Sequence, residues 1–257
     1  MAVLMGGIGA WIEAGQPVEP LQGEEDVREL EWKELPLEDF FRVPAPAGTS
    51  AESSFLPRIA GQTFLEGREL PLKRDMVVLF VDMVSSMRLV LGRSAEEVLE
   101  IIQAFMEVVI DVGAYHCGDV HDFEGDGALL YFEGAGEAVP AAFRLRDELL
   151  RRRTELPALP LPRLSLDLGP VVIGVIGTRF RQTVSLVGPC VHIAARILKL
   201  APPGGIVATD AIVEHARRTN PEFARHFVPL EGAAAQLDPE LRGLGIWLGG
   251  PLDEVEA

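Results

Sequence analysis

The sequence predicts an α+β domain with a mixed or antiparallel sheet, flanked by helices and preceded by an acidic extension. Three observations carry this reading. Apolar runs of strand length recur from residue 75 onward, and longer stretches with apolar residues three and four apart lie between some of them. The two kinds mix without strict strand–helix–strand repetition. Residues 1–70 hold several Pro and Gly and no sustained period, so 1–70 is read as an extension or linker and 71–257 as the domain.

Met76 to Val81 is a continuous apolar run, as expected of a strand buried on both faces. Ser94-Ala-Glu-Glu97 is a capping box, in which each side chain satisfies a backbone N–H of the first helical turn. The helix it opens points Val98, Ile101, Ile102, Phe105, Val108 and Val109 inward. Asp119–Glu124 and Ala128–Phe132 read as strands flanking the hairpin turn Gly125-Asp126-Gly127. A second helix covers Gly134 to about Arg153, with Pro140 in its first turns or kinking it. After a Pro/Leu loop to Pro162, strands are expected over Leu164–Leu168, Val171–Val175 and Thr183–Val187. A helix from about Cys190 to Leu200 ends at Pro202-Pro203-Gly204-Gly205. Strand Ile206–Thr209, helix Asp210–Arg218 and short strands near Phe227 and over Gly245–Leu248 complete the domain. This order fits a ferredoxin-like core. Within the extension, Glu24–Phe41 is the one segment with an amphipathic pattern, carried by Val27, Leu30, Trp32, Leu35 and Leu37.

Composition narrows the function classes. A hydrophobic share of 48% is enough for a substantial core. The net charge of −16 argues against a nucleic-acid partner, because phosphate backbones need basic faces. A nucleotide substrate stays open, since a bound divalent metal supplies local positive charge. Residues 1–70 hold thirteen acidic residues against five basic ones, a net of −8, so half the charge sits in the extension. Two cysteines, Cys117 and Cys190, make no disulfide framework. The apolar start Met1–Ile12 lacks a basic flank and is too short for a bilayer, which takes about 20 residues. The expectation is a cytoplasmic protein with no membrane partner.

One spaced set of polar residues stands on this scaffold. Asp82 ends the first apolar run, Asp126 sits in the hairpin turn, and Arg196 follows His192 by four residues on one helix face. Two carboxylates on strand ends are what a pair of Mg²⁺ ions holding a triphosphate needs. Each residue alone has a plainer role: Asp82 as a turn or cap former, Asp126 as the polar centre of a tight turn, Arg196 in a structural salt bridge.

In order and spacing, Phe80-Val-Asp82-Met83-Val-Ser85-Ser86-Met87, Gly125-Asp126-Gly127, Gly169-Pro-Val-Val-Ile-Gly174 and Val187-Gly-Pro-Cys-Val-His192-Ile-Ala-Ala-Arg196 resemble the catalytic domain of the class III adenylate/guanylate cyclases, over roughly residues 75–250. The resemblance implies a nucleotidyl cyclase fold. It implies that Asp82, Asp126 and the main-chain carbonyl of Met83 hold two Mg²⁺ or Mn²⁺ ions, one activating the ribose 3′-hydroxyl and the other clamping the triphosphate. Ser85 and Ser86 fall in the phosphate loop, where the family has Gly at the position of Ser85 and Thr at that of Met87. Arg196 and His192 fall at the transition-state positions, His192 replacing an Asn. Glu240-Leu-Arg242-Gly-Leu-Gly245 resembles the segment whose basic residue reaches the β- and γ-phosphates, here Arg242.

Asp122 and Ser185 occupy the base-reading positions that the resemblance implies. Adenylate-type members have Lys and then Asp or Thr there; guanylate-type members have a carboxylate and usually Cys. A carboxylate accepts from guanine N1–H and its exocyclic amine, and a Ser hydroxyl donates to guanine O6. GTP is therefore expected over ATP, while the plain alternative makes Asp122 a solvated strand-end charge. In the family the site lies between two protomers, which implies a homodimer with two composite sites. Two functions follow: a cyclase releasing pyrophosphate and a 3′,5′-cyclic nucleotide, or a catalytically degenerate module that regulates by nucleotide binding or dimerisation. Asp82, Asp126 and Arg196 favour the first; Ser85, Met87, Asp122 and His192 favour the second.

Overall fold

The computed structural model describes residues 70–250 apart from 179–180, 234–236 and 238, and gives no side chains for 122–124, 178 and 181–183. The acidic extension, including the amphipathic segment Glu24–Phe41, lies outside the described residues. The chain runs through β1 (Leu72–Met83), α1 (Ser86–Leu91), α2 (Ala95–Tyr115), β2 (Asp119–Glu124), β3 (Gly127–Phe132) and α3 (Ala135–Glu155). Then follow β4 (Pro162–Thr178), β5 (Arg181–Val187), α4 (Pro189–Ile197), a 3₁₀ turn (Leu198–Leu200), β6 (Ile206–Thr209) and α5 (Asp210–Thr219). The short helix α6 (Pro221–Ala224), β7 (Phe227–Pro229), a 3₁₀ turn (Pro239–Leu241) and β8 (Ile246–Gly249) close the described part.

The strands form one mixed sheet in the order β2-β3-β1-β4-β6-β8-β7, with β5 also paired to β4. The β1–α–β2–β3–α–β4 portion, in the order β2-β3-β1-β4, is the ferredoxin-like core. Antiparallel ladders join β3, β1 and β4, and β4 runs parallel to β6.

β1 shows no hydrophobic alternation in the sequence because both of its faces are covered. Val77, Leu79, Val81 and Met83 join a large core with Phe105 and Val109 of α2, Ala138 and Phe143 of α3, and Ile212 of α5. Met76 and Val78 join a smaller cluster on the opposite face with Cys190 and Ala194 of α4. Asp82 falls on this second face by strand parity. The capping box is formed: Ser94 Oγ accepts from the Glu97 N–H at 3.2 Å, and the Ser94 N–H donates to the Glu97 carboxylate at 2.9 Å.

One local expectation gives way, and one helix was not expected. Leu164–Leu168 and Val171–Val175 are parts of one strand, β4, which continues through Gly169-Pro170. Along one edge of β4 the β6 ladder ends at Leu166 and the β5 ladder begins at Val172. Pro170 sits in that gap, where a missing N–H costs a strand least. The helix α1 has a single buried residue, Leu89, and so leaves no apolar period to find in the sequence.

Candidate active site

Asp82 is the penultimate residue of β1, opposite Gly127 of β3 and Arg163 of β4. The Gly-Asp-Gly turn owes its two glycines to geometry. Gly125 turns the chain with φ of +65°, a conformation that favours glycine. At Gly127 a Cβ would stand 2.9 Å from the Val81 carbonyl oxygen and 3.4 Å from Asp82 Oδ1, so any side chain would crowd the β1 backbone beside the first carboxylate. Asp126, between them, is tied to β1 by the Met83 N–H, which donates to the Asp126 carbonyl at 3.2 Å.

The two carboxylates are therefore neighbours. They line one cleft of about 220 Å³ together with Phe80, Gly127 and, from the α4 side, Ala195 and Leu198. Burial pushes the Asp82 carboxyl above the ordinary carboxylate range; Arg163 opposes that shift and the nearby Asp126 adds to it. Arg163 Nε donates to Asp82 Oδ2 at 2.8 Å, and Nη2 donates to the same oxygen. This arginine is a member of the candidate site that sequence reasoning missed. Its signal is its register opposite Asp82, and that register is a property of the sheet.

The donor set fits hard divalent ions. Mg²⁺ is commonly held by one or two carboxylates together with substrate phosphates and waters. Asp82 and Asp126 are such a pair, whereas no group of three or more His, Cys, Asp or Glu side chains that could hold a metal occurs among the described residues. Three residues after Asp82, Ser85 has φ of 59° and ψ of 35°, the left-handed region, and stands at the N-cap position of α1 without a side-chain capping hydrogen bond. The glycine expected at this position from the cyclase resemblance has a physical reason: the loop asks for positive φ, and Ser85 adopts it at a cost of about 1–2 kcal/mol. Ser86 opens α1, and the side chain of Met87 is exposed.

The remaining candidates are not among the described residues that line this cleft. His192 and Arg196 are exposed on α4, on the side turned away from Cys190, Ala194 and Ile197, which pack on the sheet or beside it. Ser185 is half-buried on β5, opposite Gly174 of β4. Asp122 lies on β2 opposite Leu129, beside a register shift after Val120; its side chain is outside the described part. Arg242 is exposed in the turn before β8, and β8 is three strands from β1, roughly 14 Å at the usual spacing.

No family model matches the chain. Its curated relatives include two uncharacterised proteins of Mycobacterium tuberculosis. One is 32% identical over 173 residues, which is 62% of this chain and 31% of the relative. The other is 30% identical over 153 residues, 56% of this chain and 26% of the relative. The chain thus spans about a third or less of the length of the curated relatives it matches. Solved structures align over whole catalytic domains. The guanylyl cyclase Cya2 matches with a TM-score of 0.60 at 20% identity, over 72% of this chain and 96% of its own. The adenylyl cyclase CyaB from P. aeruginosa matches with 0.62 at 17%, over 71% and 97%. The guanylate cyclase domain of RhGC from Catenaria anguillulae, solved in complex with GTP, matches with 0.61 at 17%, over 71% and 100%.

The fold is that of the class III adenylyl and guanylyl cyclase catalytic domains. Within this cyclase fold, Asp82 and Asp126 face one cleft, and His192 and Arg196 face away from their own sheet. Among the described residues, no helix is long and apolar enough to cross a membrane.

Proposed function

We propose that this chain is a nucleotidyl cyclase that converts a nucleoside triphosphate, GTP in preference to ATP, to a 3′,5′-cyclic nucleotide and pyrophosphate. The observation that carries the reading is the pair Asp82–Asp126 on one cleft, backed by Arg163, in a domain of cyclase fold. Asp82, Asp126 and the Met83 carbonyl would hold two Mg²⁺ or Mn²⁺ ions, which when bound neutralise phosphate charge and make the ribose 3′-hydroxyl more acidic.

In this reading the 3′-oxygen forms a bond to the α-phosphorus in line as the bond to the bridging oxygen of the β-phosphate breaks. Pyrophosphate leaves with that electron pair and the hydroxyl proton passes to solvent. Ser85 and Ser86 place main-chain N–H groups at the phosphates. Arg163, bonded to Asp82, keeps one carboxylate oriented and adds positive charge beside it. Arg196 and His192 donate to the charge that builds on the reacting phosphate. Asp122 and Ser185 read the base. The outward side of α4 supports supply of Arg196 and His192 to a second copy, so the assembly is a homodimer with composite sites and the isolated protomer is inactive.

The test is incubation of the purified protein with Mn²⁺ and either GTP or ATP, with cyclic product quantified beside Asp82→Ala. Product from GTP that is lost in the variant bears out the reading. Product from ATP alone keeps the cyclase and overturns the base assignment. A second reading, a regulatory module without turnover, is favoured by the left-handed Ser85 and by His192 at an amide position. A folded dimer that binds nucleotide but yields no product from either substrate would establish it.

A further inference from the structure

A cavity of about 460 Å³ lies away from the paired carboxylates, lined by Arg146, Leu150, Pro202, Gly205, Leu248 and Gly250 among others. Its size falls within the range of about 300–1,000 Å³ usual for small-molecule sites. Among the described residues that line it, Arg146 is the one cation, and it is 4% exposed. The guanidinium spends two of its five N–H groups: Nε donates to Asp147 Oδ1 and Nη1 to the Gly250 carbonyl, both at 2.7 Å. Its face rests on the Phe143 ring, 4.9 Å from the centroid. The other three N–H groups find no protein acceptor among the described residues. No nitrogen of Arg146 is among the described side-chain atoms sealed from solvent without a partner, so the spare donors open onto the cavity, where an acceptor that enters can meet them.

We propose that this cavity is a binding site for a small monocarboxylate with an apolar body. Arg146 offers a fork that matches a carboxylate, and Leu150, Pro202, Pro203 and Leu248 offer apolar walls. Asp147, held against the same guanidinium, makes the pocket a poor host for a dianionic phosphate, so the ligand is not a nucleotide. The backbone around the rim is already committed. The Gly204 N–H donates to the Pro162 carbonyl at 2.7 Å, and the Gly205 carbonyl accepts from the Leu164 N–H at 3.0 Å.

Those two hydrogen bonds flank Arg163, the residue that grips Asp82. A ligand that moves the Pro202–Gly205 turn therefore acts on the start of β4 and, through Arg163, on the first carboxylate. This coupling makes the monocarboxylate an effector of turnover and rests on the cyclase reading; the binding itself does not.

The test is titration of the ¹⁵N-labelled full chain with hexanoate, using hexanamide and inorganic phosphate as controls. Saturable shifts are expected at the amides of Gly204, Gly205, Leu248, Gly249 and Gly250. Binding should be about ten- to a hundredfold weaker for hexanamide and for Arg146→Lys, which lose the charge or the fork. Pro203→Trp, an exposed position that fills the mouth of the cavity, should abolish the shifts even if the Arg146 variant fails to fold. Equal binding of hexanamide, displacement of hexanoate by equimolar phosphate, or shifts that persist in Pro203→Trp would overturn the proposal. None of these outcomes depends on whether the protein forms a cyclic nucleotide.

Discussion

The two faces of the sheet are built for different purposes. On one, α2, α3 and α5 cover a continuous apolar layer in which Phe143 meets Phe223 and Phe227 with ring centroids 5.3 and 5.5 Å apart. On the other, α4 covers a smaller cluster that admits polar groups. Ser165 donates to the Ala194 carbonyl at 2.7 Å, Asp167 accepts from Thr209 at 2.5 Å, and Asp82 opens onto the cleft. Burial raises both the Asp82 and the Asp167 carboxyl. The first face holds the fold together. The second gives up packing for carboxylates held at fixed positions, and α4, which covers it among the described residues, keeps an outer side free of the sheet.

The sharpest way to break this contrast is to cut one residue from each face. Asp82→Ala should lower product by about a thousandfold, the scale of losing a group that stabilises transition-state charge, while the melting temperature moves by only a few degrees. A variant that keeps its activity would remove the site from the α4 face. Phe143→Ala should do the reverse. It should cost about 3–5 kcal/mol of stability in urea denaturation, from lost burial and the cavity left behind, with turnover per folded molecule unchanged.

Arg163→Gln sharpens the comparison at the site itself. Arg163 holds the Asp82 carboxyl down against burial and Asp126, so its loss raises that carboxyl further. The acid limb of the pH–rate profile should then move to higher pH, because the carboxylate forms later. Stability follows the same sign. A carboxyl raised in the folded state contributes stability that is full below the ordinary carboxylate range and is lost as pH rises through the raised value. In the variant that loss should begin at the same pH but extend to higher pH and be larger, read from melting temperatures across an acid-to-neutral series. Ser85→Gly should have the smallest effect, a gain of up to about 1 kcal/mol from relieving the left-handed serine. A lower KM for the triphosphate should accompany it, and an unchanged or higher KM would argue that the serine hydroxyl matters more than the loop conformation.

Much of this architecture is legible in short stretches of the chain. The capping box at Ser94, the hairpin around Asp126 and the helix over His192 and Arg196 are local patterns, and each lies where the spacing predicts. Pro140 is the sixth residue of α3, past the first-turn N–H groups that have no partner in the helix, and the helix continues through it without a hydrogen bond to the Gly136 carbonyl. The continuity of β4 through Pro170 is not legible in the same way, since it depends on which neighbouring strands stop and start beside that residue.

The sequence by itself determined the element order, the cyclase resemblance and the identities of Asp82 and Asp126, because these rest on short-range spacing and residue chemistry. Only the tertiary structure decided that Arg163, 81 residues away in the chain, bonds Asp82. It also decided that His192 and Arg196 face away from their own sheet and that Arg146 is buried with donors to spare. Those facts depend on strand register and on which helix face the core takes up, and both are set by packing between segments far apart in the chain.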